Sequence, residues 1–572
     1  MINHQILVVG GGLAGMRAAI EACQATGKGG QRLDVALLSR VHPLRSHSGA
    51  AQGGANASFG NAEAGKDDNW EKHAFDTVKG SDYLGDQDSI EVMAKEAVPR
   101  IVELEHWGCP FSRTPEGKIA QRPFGGAGYP RTCYSADKTG HVMLHTLYEQ
   151  VTKRRIKVYS EWMALALVRS AGVCVGLVAM EMLSGKLEAF RADAVIFATG
   201  GAGRLYQKTT NAIINTGYGM ALAYWAGVPL KDMEFIQFHP TTLYGTNILI
   251  SEAARGEGGY LYNAKGERFL KDYAPSLMEL APRDIVARSE QIEIEQGRGY
   301  ENAYVLLDLR HLGREKIEER LPGIRDLAIS YAGVDPVEQP IPVQPGQHYT
   351  MGGIACNTWG ESELPGFFAA GESACVSIHG ANRLGGNSLL ETVVFGKLAG
   401  ERAAQFVQSK ENSRKGEQDI QSALAGAQSK IEGLLKADGT EDFPTIRKEM
   451  EVTMTEQVGI FRERSPMEKA LKIIRDLKER YRRGCLRYHG RSFNQDLMRA
   501  LELEGMLDVA EIVAMGAVAR EESRGSHYRL DFKARDDEKW LKHTLARFTP
   551  EGPRLEYSPV TITNYPPVER KY

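Results

Sequence analysis

At 572 residues, with 42% hydrophobic and 25% charged side chains, the chain has room for about four domain-sized units and the make-up of a globular protein. Its 70 basic and 73 acidic residues leave a formal charge of -3, which excludes the basic footprint of a nucleic-acid binder. Seven scattered cysteines with no Cys-x-x-Cys pair fit a reducing compartment and argue against an iron–sulfur cluster or a zinc site in this chain.

Met1 runs into the apolar stretch 5–9 with no basic or apolar leader ahead of it, so no export signal is expected. Nowhere does the sequence reach the ~18 apolar residues of a spanning helix. Residues 510–519, interrupted by Glu511, read as a core helix, and any membrane contact is expected through a partner. Residues 6–9, the turn Gly10-Gly11-Gly12-Leu13-Ala14-Gly15 and Ala18-Ala19-Ile20 read as strand, tight turn and helix, with Gly10, Gly12 and Gly15 at the spacing of a dinucleotide fingerprint. Such glycines bring a pyrophosphate onto a helix N-terminus, where free N–H groups and the dipole favour anions. A second strand, 34–38, ends in Ser39-Arg40 where an acid for the ribose is usual, although a serine hydroxyl can also bond to a diol.

Next comes Arg45-Ser46-His47-Ser48-Gly49-Ala50-Ala51-Gln52-Gly53-Gly54, one histidine in an otherwise small, glycine-rich loop. These residues alone allow two readings. One is a solvated surface loop; the other is a loop stripped of bulk so that a flat ligand meets the backbone, with His47 the one reactive group facing it. His141 and His145 share a helix face but lack a third ligand, and are read as structural. Residues 193–199 read as a buried parallel strand that breaks into glycines at a cofactor edge.

From Met233 the character changes. Phe238-His239-Pro240-Thr241, Ser251-Glu252-Ala253-Ala254-Arg255-Gly256 and Ala281-Pro282-Arg283-Asp284 place histidines, a carboxylate and arginines in Gly/Pro-flanked settings. Similar blocks follow: His348-Tyr349-Thr350-Met351-Gly352-Gly353, Gly371-Glu372, and His379-Gly380-Ala381-Asn382-Arg383-Leu384 running through Ser388-Leu389 into a helix over 391–404. Beyond Gln408 the sequence turns charged, which marks a boundary. Ser465-Pro466-Met467-Glu468 reads as a capping box opening an amphipathic helix to about residue 483. With 444–461 and 493–520 it predicts an antiparallel three-helix unit. The tail from 531, with five prolines, reads as an irregular docking segment.

On these blocks, together with Glu522-Ser523-Arg524-Gly525-Ser526-His527, the whole chain resembles the flavoprotein subunit of the succinate dehydrogenase and quinol:fumarate reductase family. The resemblance implies an α/β fold: a Rossmann-like FAD-binding domain (1–234 and 351–408) interrupted by an α+β capping domain (235–350), then a helical domain (409–530) and a docking segment (531–572). It implies interconversion of succinate and fumarate on FAD bonded covalently through His47. The cofactor contacts would be Gly10, Gly11, Gly12, Gly15, Ser39, Arg40, Ser46, Ser48, Gln52, Gly53, Gly54, Glu372, Ser388 and Leu389. His239, Ser251, His348 and Arg383 would hold the dicarboxylate, and the planar fork of Arg383 suits a carboxylate. Arg283 would move the proton, with His239 also catalytic and Glu252 and Arg255 as a relay. Because a guanidinium loses its proton only near about pH 12.5, a second cation is needed to lower the cost of a neutral arginine.

The same resemblance implies an iron–sulfur subunit and a membrane quinone-reactive subunit as partners, with the chain held at the cytoplasmic face of the plasma membrane. Gln52 tilts the reading toward the dehydrogenase. The alternatives are a reductase-direction enzyme, a free-standing flavoenzyme like L-aspartate oxidase, or a non-catalytic FAD-dependent scaffold. Two residues depart from the family pattern: Tyr218 stands where an aspartate near the flavin is usual, and Ala254 where some members carry cysteine.

Overall fold

The computed structural model describes residues 1–27, 30–409 and 416–570. Strand Ile2–Val9 is central to a seven-stranded sheet, pairing in parallel with Val35–Ser39 on one side and Leu187–Phe197 on the other, so that Val8 faces Leu37 and Ile196. Ile6, Leu7, Val8, Leu37 and Ile196 are all buried, as expected of strands covered on both faces. Lys157–Ser160 extends the parallel side, and Val173–Glu181 and Trp162–Ser170 continue the sheet antiparallel. The chain returns to this sheet only at Phe367–Ala369, where Phe368 pairs beside Ile196.

Helices Leu13–Gln24 and Asn387–Ser409 pack on each other at backbone distance. A Cβ on Gly396 or Gly400 would lie 2.7 or 2.3 Å from the carbonyl oxygens of Ala14 and Ala18, so the absence of a side chain sets their approach.

The intervening segment builds a second sheet, antiparallel, in the order Ile236–Leu243, Ile341–Thr350, Val305–Asp308, Tyr260–Tyr262, with its own apolar core around Leu243, Leu261, Leu307, Ile324 and Val343. Its pairing slips at two points, between Gln237 and Phe238 and between His239 and Thr242. Gln237 faces Tyr349 but Phe238 faces Gln347, which leaves His348 as the extra residue of a β-bulge.

Helices Phe443–Gln457, Arg464–Tyr481 and Gln495–Ala519 pack together as the expected three. Three readings need correction around them. Ser465 caps nothing: the helix begins at Arg464 with Glu463 as N-cap, and Asp531 Oδ2 accepts the Arg464 N–H at 3.1 Å, so a tail carboxylate serves the helix end instead. A fourth helix, Glu417–Lys436, lays Ile420 against Val168, Val178 and Ala189 of the first sheet. The tail is not irregular throughout, because Lys542–Arg547 and Arg554–Pro559 form a hairpin that pairs with Leu230–Lys231. Among the described residues no helix is long and apolar enough to cross a membrane.

A buried ion network ties these parts together. Arg520 donates to Glu234 at 2.8 Å and to Glu522 at 3.0 Å, while Arg524 meets Glu522 at 2.8 Å and Asp537 at 2.9 Å. The Glu522-to-His527 block is thus structural glue between the helix end, the second sheet and the tail.

Candidate active site

A cavity of about 400 Å³ runs from the Gly10–Gly12 turn and Ser39-Arg40, past the 46–54 loop, Glu372 and Ser388-Leu389, to His239, Ser251, Glu252, Arg283, His348 and Arg383. Of the site residues read from the sequence, only Gly15 and Arg255 are not in its wall. A Cβ on Gly15 would sit 1.9 Å from the Gly10 carbonyl oxygen, so this glycine lets the helix start against the strand end. Arg255 is buried behind Glu252.

The cavity suits a dinucleotide. Helix Leu13–Gln24 opens at Gly12, which has no side chain to cap it; Ser48 Oγ accepts the Leu13 N–H at 3.3 Å, and a helix N-terminus opened by glycines is the arrangement that receives a pyrophosphate. Ser46 Oγ, Thr199 Oγ1 and Glu502 Oε2 are buried in the wall with no partner among the described residues, which calls for a polar ligand. Glu502 comes from the C-terminal helix Gln495–Ala519 and was not foreseen. It pairs with Arg40 and accepts the Thr216 hydroxyl at 3.1 Å, placing an acid close to where the strand ending at Ser39 lacks one.

Further along the cavity, His47 Nδ1 accepts the Ala212 N–H at 3.4 Å, leaving Nε2 as the other ring nitrogen. Burial, helped by Arg204, pulls its pKa down to about 4, so the imidazole is neutral and nucleophilic. Gln52 clips the loop to the second sheet's segment: its Nε2 donates to the Leu249 carbonyl at 2.9 Å, and its Oε1 accepts the Ser251 N–H at 3.1 Å.

At the far end two strand imidazoles meet. The His239 and His348 rings are edge to face with centroids 4.9 Å apart. His239 Nδ1 accepts the Thr241 N–H at 3.1 Å, and His348 Nδ1 lies 2.8 Å from Thr210 Oγ1. Burial, then the neighbouring arginines, hold both pKa values well below the ordinary range. Arg283, at the start of helix Arg283–Glu295, donates Nε to Glu252 Oε2 at 2.7 Å. Glu252 Oε1 accepts the Gly125 N–H at 2.6 Å and lies 3.7 Å from Arg255 Nη2. Burial opposes the Glu252 charge, but Arg283 and Arg255 outweigh it and keep the carboxylate ionised.

One residue here escaped the sequence reading. Gln237 Oε1 accepts Arg283 Nη1 at 3.1 Å and Arg383 Nη2 at 3.0 Å, spacing the two guanidinium groups across a single amide oxygen. Its amide end is itself fixed by Asn382 and the Arg383 carbonyl. A lone polar residue in a strand carries no signal for such a role. Chemically, the end of the cavity offers several hydrogen-bond donors to a small dianion and an Arg–Glu–Arg path for one proton.

Residues 5–389 match the family model described as FAD binding domain, and 447–572 match Fumarate reductase flavoprotein C-term. The chain is 47% identical to the fumarate reductase flavoprotein subunit of Mycobacterium tuberculosis over 100% of this chain and 99% of that one. It is 43% identical to the succinate dehydrogenase flavoprotein subunit of Rickettsia bellii, again over 100% and 99%. Its fold superposes on an E. coli quinol fumarate reductase chain with a TM-score of 0.94 at 44% identity, covering 100% of this chain and 98% of that chain. With FAD-type and family-specific C-terminal segments both matched, and full-length relatives at this identity, the chain belongs to the succinate dehydrogenase and fumarate reductase flavoprotein subunit family of oxidoreductases.

Proposed function

We propose that this chain interconverts succinate and fumarate on FAD joined covalently to His47. The observation that carries the reading is the convergence of the Arg283 and Arg383 guanidinium groups and two neutral imidazoles on the same cavity that His47 lines, with Arg255 behind Glu252. FAD, when bound, supplies the two-electron acceptor or donor. Gly10, Gly11, Gly12 and Gly15 shape the pyrophosphate seat, with Ser39, Arg40 and Glu502 beside the ribose. Ser46, Ser48, Gln52, Gly53, Gly54, Glu372, Ser388 and Leu389 flank the remainder.

Arg383 and His348 hold one substrate carboxylate, and His239 and Ser251 the other. The imidazoles act as neutral hydrogen-bonding groups, which leaves recognition of charge to the arginines. Arg283 exchanges a proton with the substrate carbon, Glu252 at 2.7 Å carries it on, and Arg255 behind it passes it outward. Burial beside other cations reduces the cost of a momentarily neutral guanidine. Electrons are exchanged with an iron–sulfur subunit and, through it, a membrane quinone-reactive subunit, which hold the chain at the cytoplasmic face of the plasma membrane. The names of the relatives at similar identity carry both directions; Gln52 favours the dehydrogenase, with quinol:fumarate reduction as the alternative.

Arg283→Ala should lower succinate oxidation to about 1% or less while FAD stays bound, the size of effect that losing a positioned acid–base group has. Retention of more than about a tenth of wild-type turnover reassigns the proton carrier. Acid-precipitated chain should keep flavin fluorescence on the protein and lose it in His47→Ala; flavin released from the unaltered chain removes the covalent bond from the reading.

A further inference from the structure

Arg383 is 2% exposed and forms no ion pair among the described residues. Gln237 Oε1 accepts Nη2 at 3.0 Å, Ser388 Oγ accepts Nη1 at 3.3 Å, and Nε has no partner. Such an arrangement suits a group that must offer its edge to an incoming carboxylate, because a protein carboxylate would occupy the fork. It leaves a buried cation without direct compensation. Burial, with Arg283 alongside, pulls the Arg383 pKa down to about 9.

Behind the flat face of the guanidinium lies the ring of Tyr349, with its centroid 4.5 Å from the central carbon. The Tyr349 hydroxyl donates to Glu391 Oε2 at 2.5 Å, and His379 Nε2 lies 2.7 Å from the same oxygen. The His379 ring stands edge-on to Tyr349 at 5.3 Å. All three side chains are buried. Burial, with Glu391 and Glu372, keeps the Tyr349 hydroxyl protonated, so it remains the donor. A phenol whose proton is drawn toward a carboxylate becomes richer in electrons, and in a dry interior such polarisation passes along the chain of bonds and strengthens attraction between ring face and cation.

We propose that Glu391, held by His379, acts through the Tyr349 ring as the counter-charge of Arg383, keeping the guanidinium protonated and flat while its edge stays open to a substrate carboxylate. Tyr349, Glu391 and His379 are therefore positioning residues for dicarboxylate binding, which rests on the function proposed above. Glu391 and His379 stand outside the cavity wall, so neither meets the substrate. The other charged or titratable groups facing Arg383 are Arg283, His239, His348, Glu372 and Glu252, with neither carboxylate within ion-pairing reach among the described residues.

The test uses the full FAD-loaded chain, with Tyr349→Phe and Glu391→Gln as two substitutions that keep shape. Succinate KM and kcat per bound FAD are measured across pH, with the affinity for malonate read from flavin absorbance. Both variants keep an aromatic face under Arg383 and lose only the charge drawn toward it, so they should raise KM and weaken malonate binding by about three- to five-fold, with kcat within about two-fold. The rise of KM with pH should also begin at lower pH, which a merely structural defect would not produce. Unaltered turnover of succinate with both variants within about two-fold of the wild-type KM and malonate affinity overturns the inference alone. Absence of any C4-dicarboxylate turnover in the wild-type chain removes the function it rests on.

Discussion

Two buried arginine clusters in this molecule solve opposite problems. In the network at the C-terminal helix, Arg520 and Arg524 face Glu234, Glu522 and Asp537, so that charges are matched at 2.8 to 3.0 Å and nothing is left for a ligand. At the end of the cavity Arg255 and Arg283 share one ionised carboxylate, Glu252, and Arg383 has no direct ion pair among the described residues. The acids nearest to help are silent: burial raises Glu290 well above the ordinary range and Glu372 to about 8, leaving both protonated near neutrality. The first cluster pairs each guanidinium with carboxylates; the second holds more guanidinium groups than ionised acids.

The contrast predicts different penalties. Glu522→Ala removes the carboxylate shared by two buried guanidinium groups, leaving Arg520 only the Glu234 carboxylate and Arg524 only that of Asp537, and should destabilise the chain by about 3 kcal/mol in urea unfolding. A loss below about 1 kcal/mol would mean that the network is solvated and the comparison wrong. His543, in the same interface, comes next. It lies 2.7 Å from Asp232 and 3.1 Å from Asp86, and although burial disfavours its charge the two acids raise its pKa to about 9. Because the folded value lies above the unfolded one, this contribution is fully present below about pH 6.5 and is lost as pH rises through 9, on the order of 3 kcal/mol. His543→Gln should flatten that alkaline loss in a series of melting curves. His239 and His348 have the opposite sign, since the unfolded chain takes up their protons first and stability falls as pH drops below about 6.5.

The smallest effect sharpens the contrast most. Replacing Arg383, which has no direct ion-pair partner among the described residues, by Met should leave stability unchanged or raise it by about 1 kcal/mol, while malonate binding disappears. A large destabilisation would show Arg383 to be a structural cation like Arg520.

The glycine turn was readable because only a residue without Cβ allows Gly15 to sit against Gly10. Arg283, Arg255 and Glu252 were readable by resemblance, on short blocks whose residues the structure brings to one place. What stayed hidden depends on distant partners. His348 was named from its sequence block, but the register slip that brings it to the site is visible only once two strands pair, and Gln237 and Glu502 look like ordinary polar residues until Arg383 and Arg40 are placed beside them. The capping box failed because Asp531, remote in sequence, supplies the helix-end carboxylate. Helix Glu417–Lys436 was missed because only Ile420 and Ile431 of its residues are buried, too few to mark an apolar face.

Glu502 also bears on biogenesis. The groove that takes the dinucleotide has Gly10 to Gly12 on one side and a residue of the penultimate stretch of the polypeptide on another. The seat therefore gains its full set of walls only once the last long helix has left the ribosome, and chains cut short before that helix leave it open.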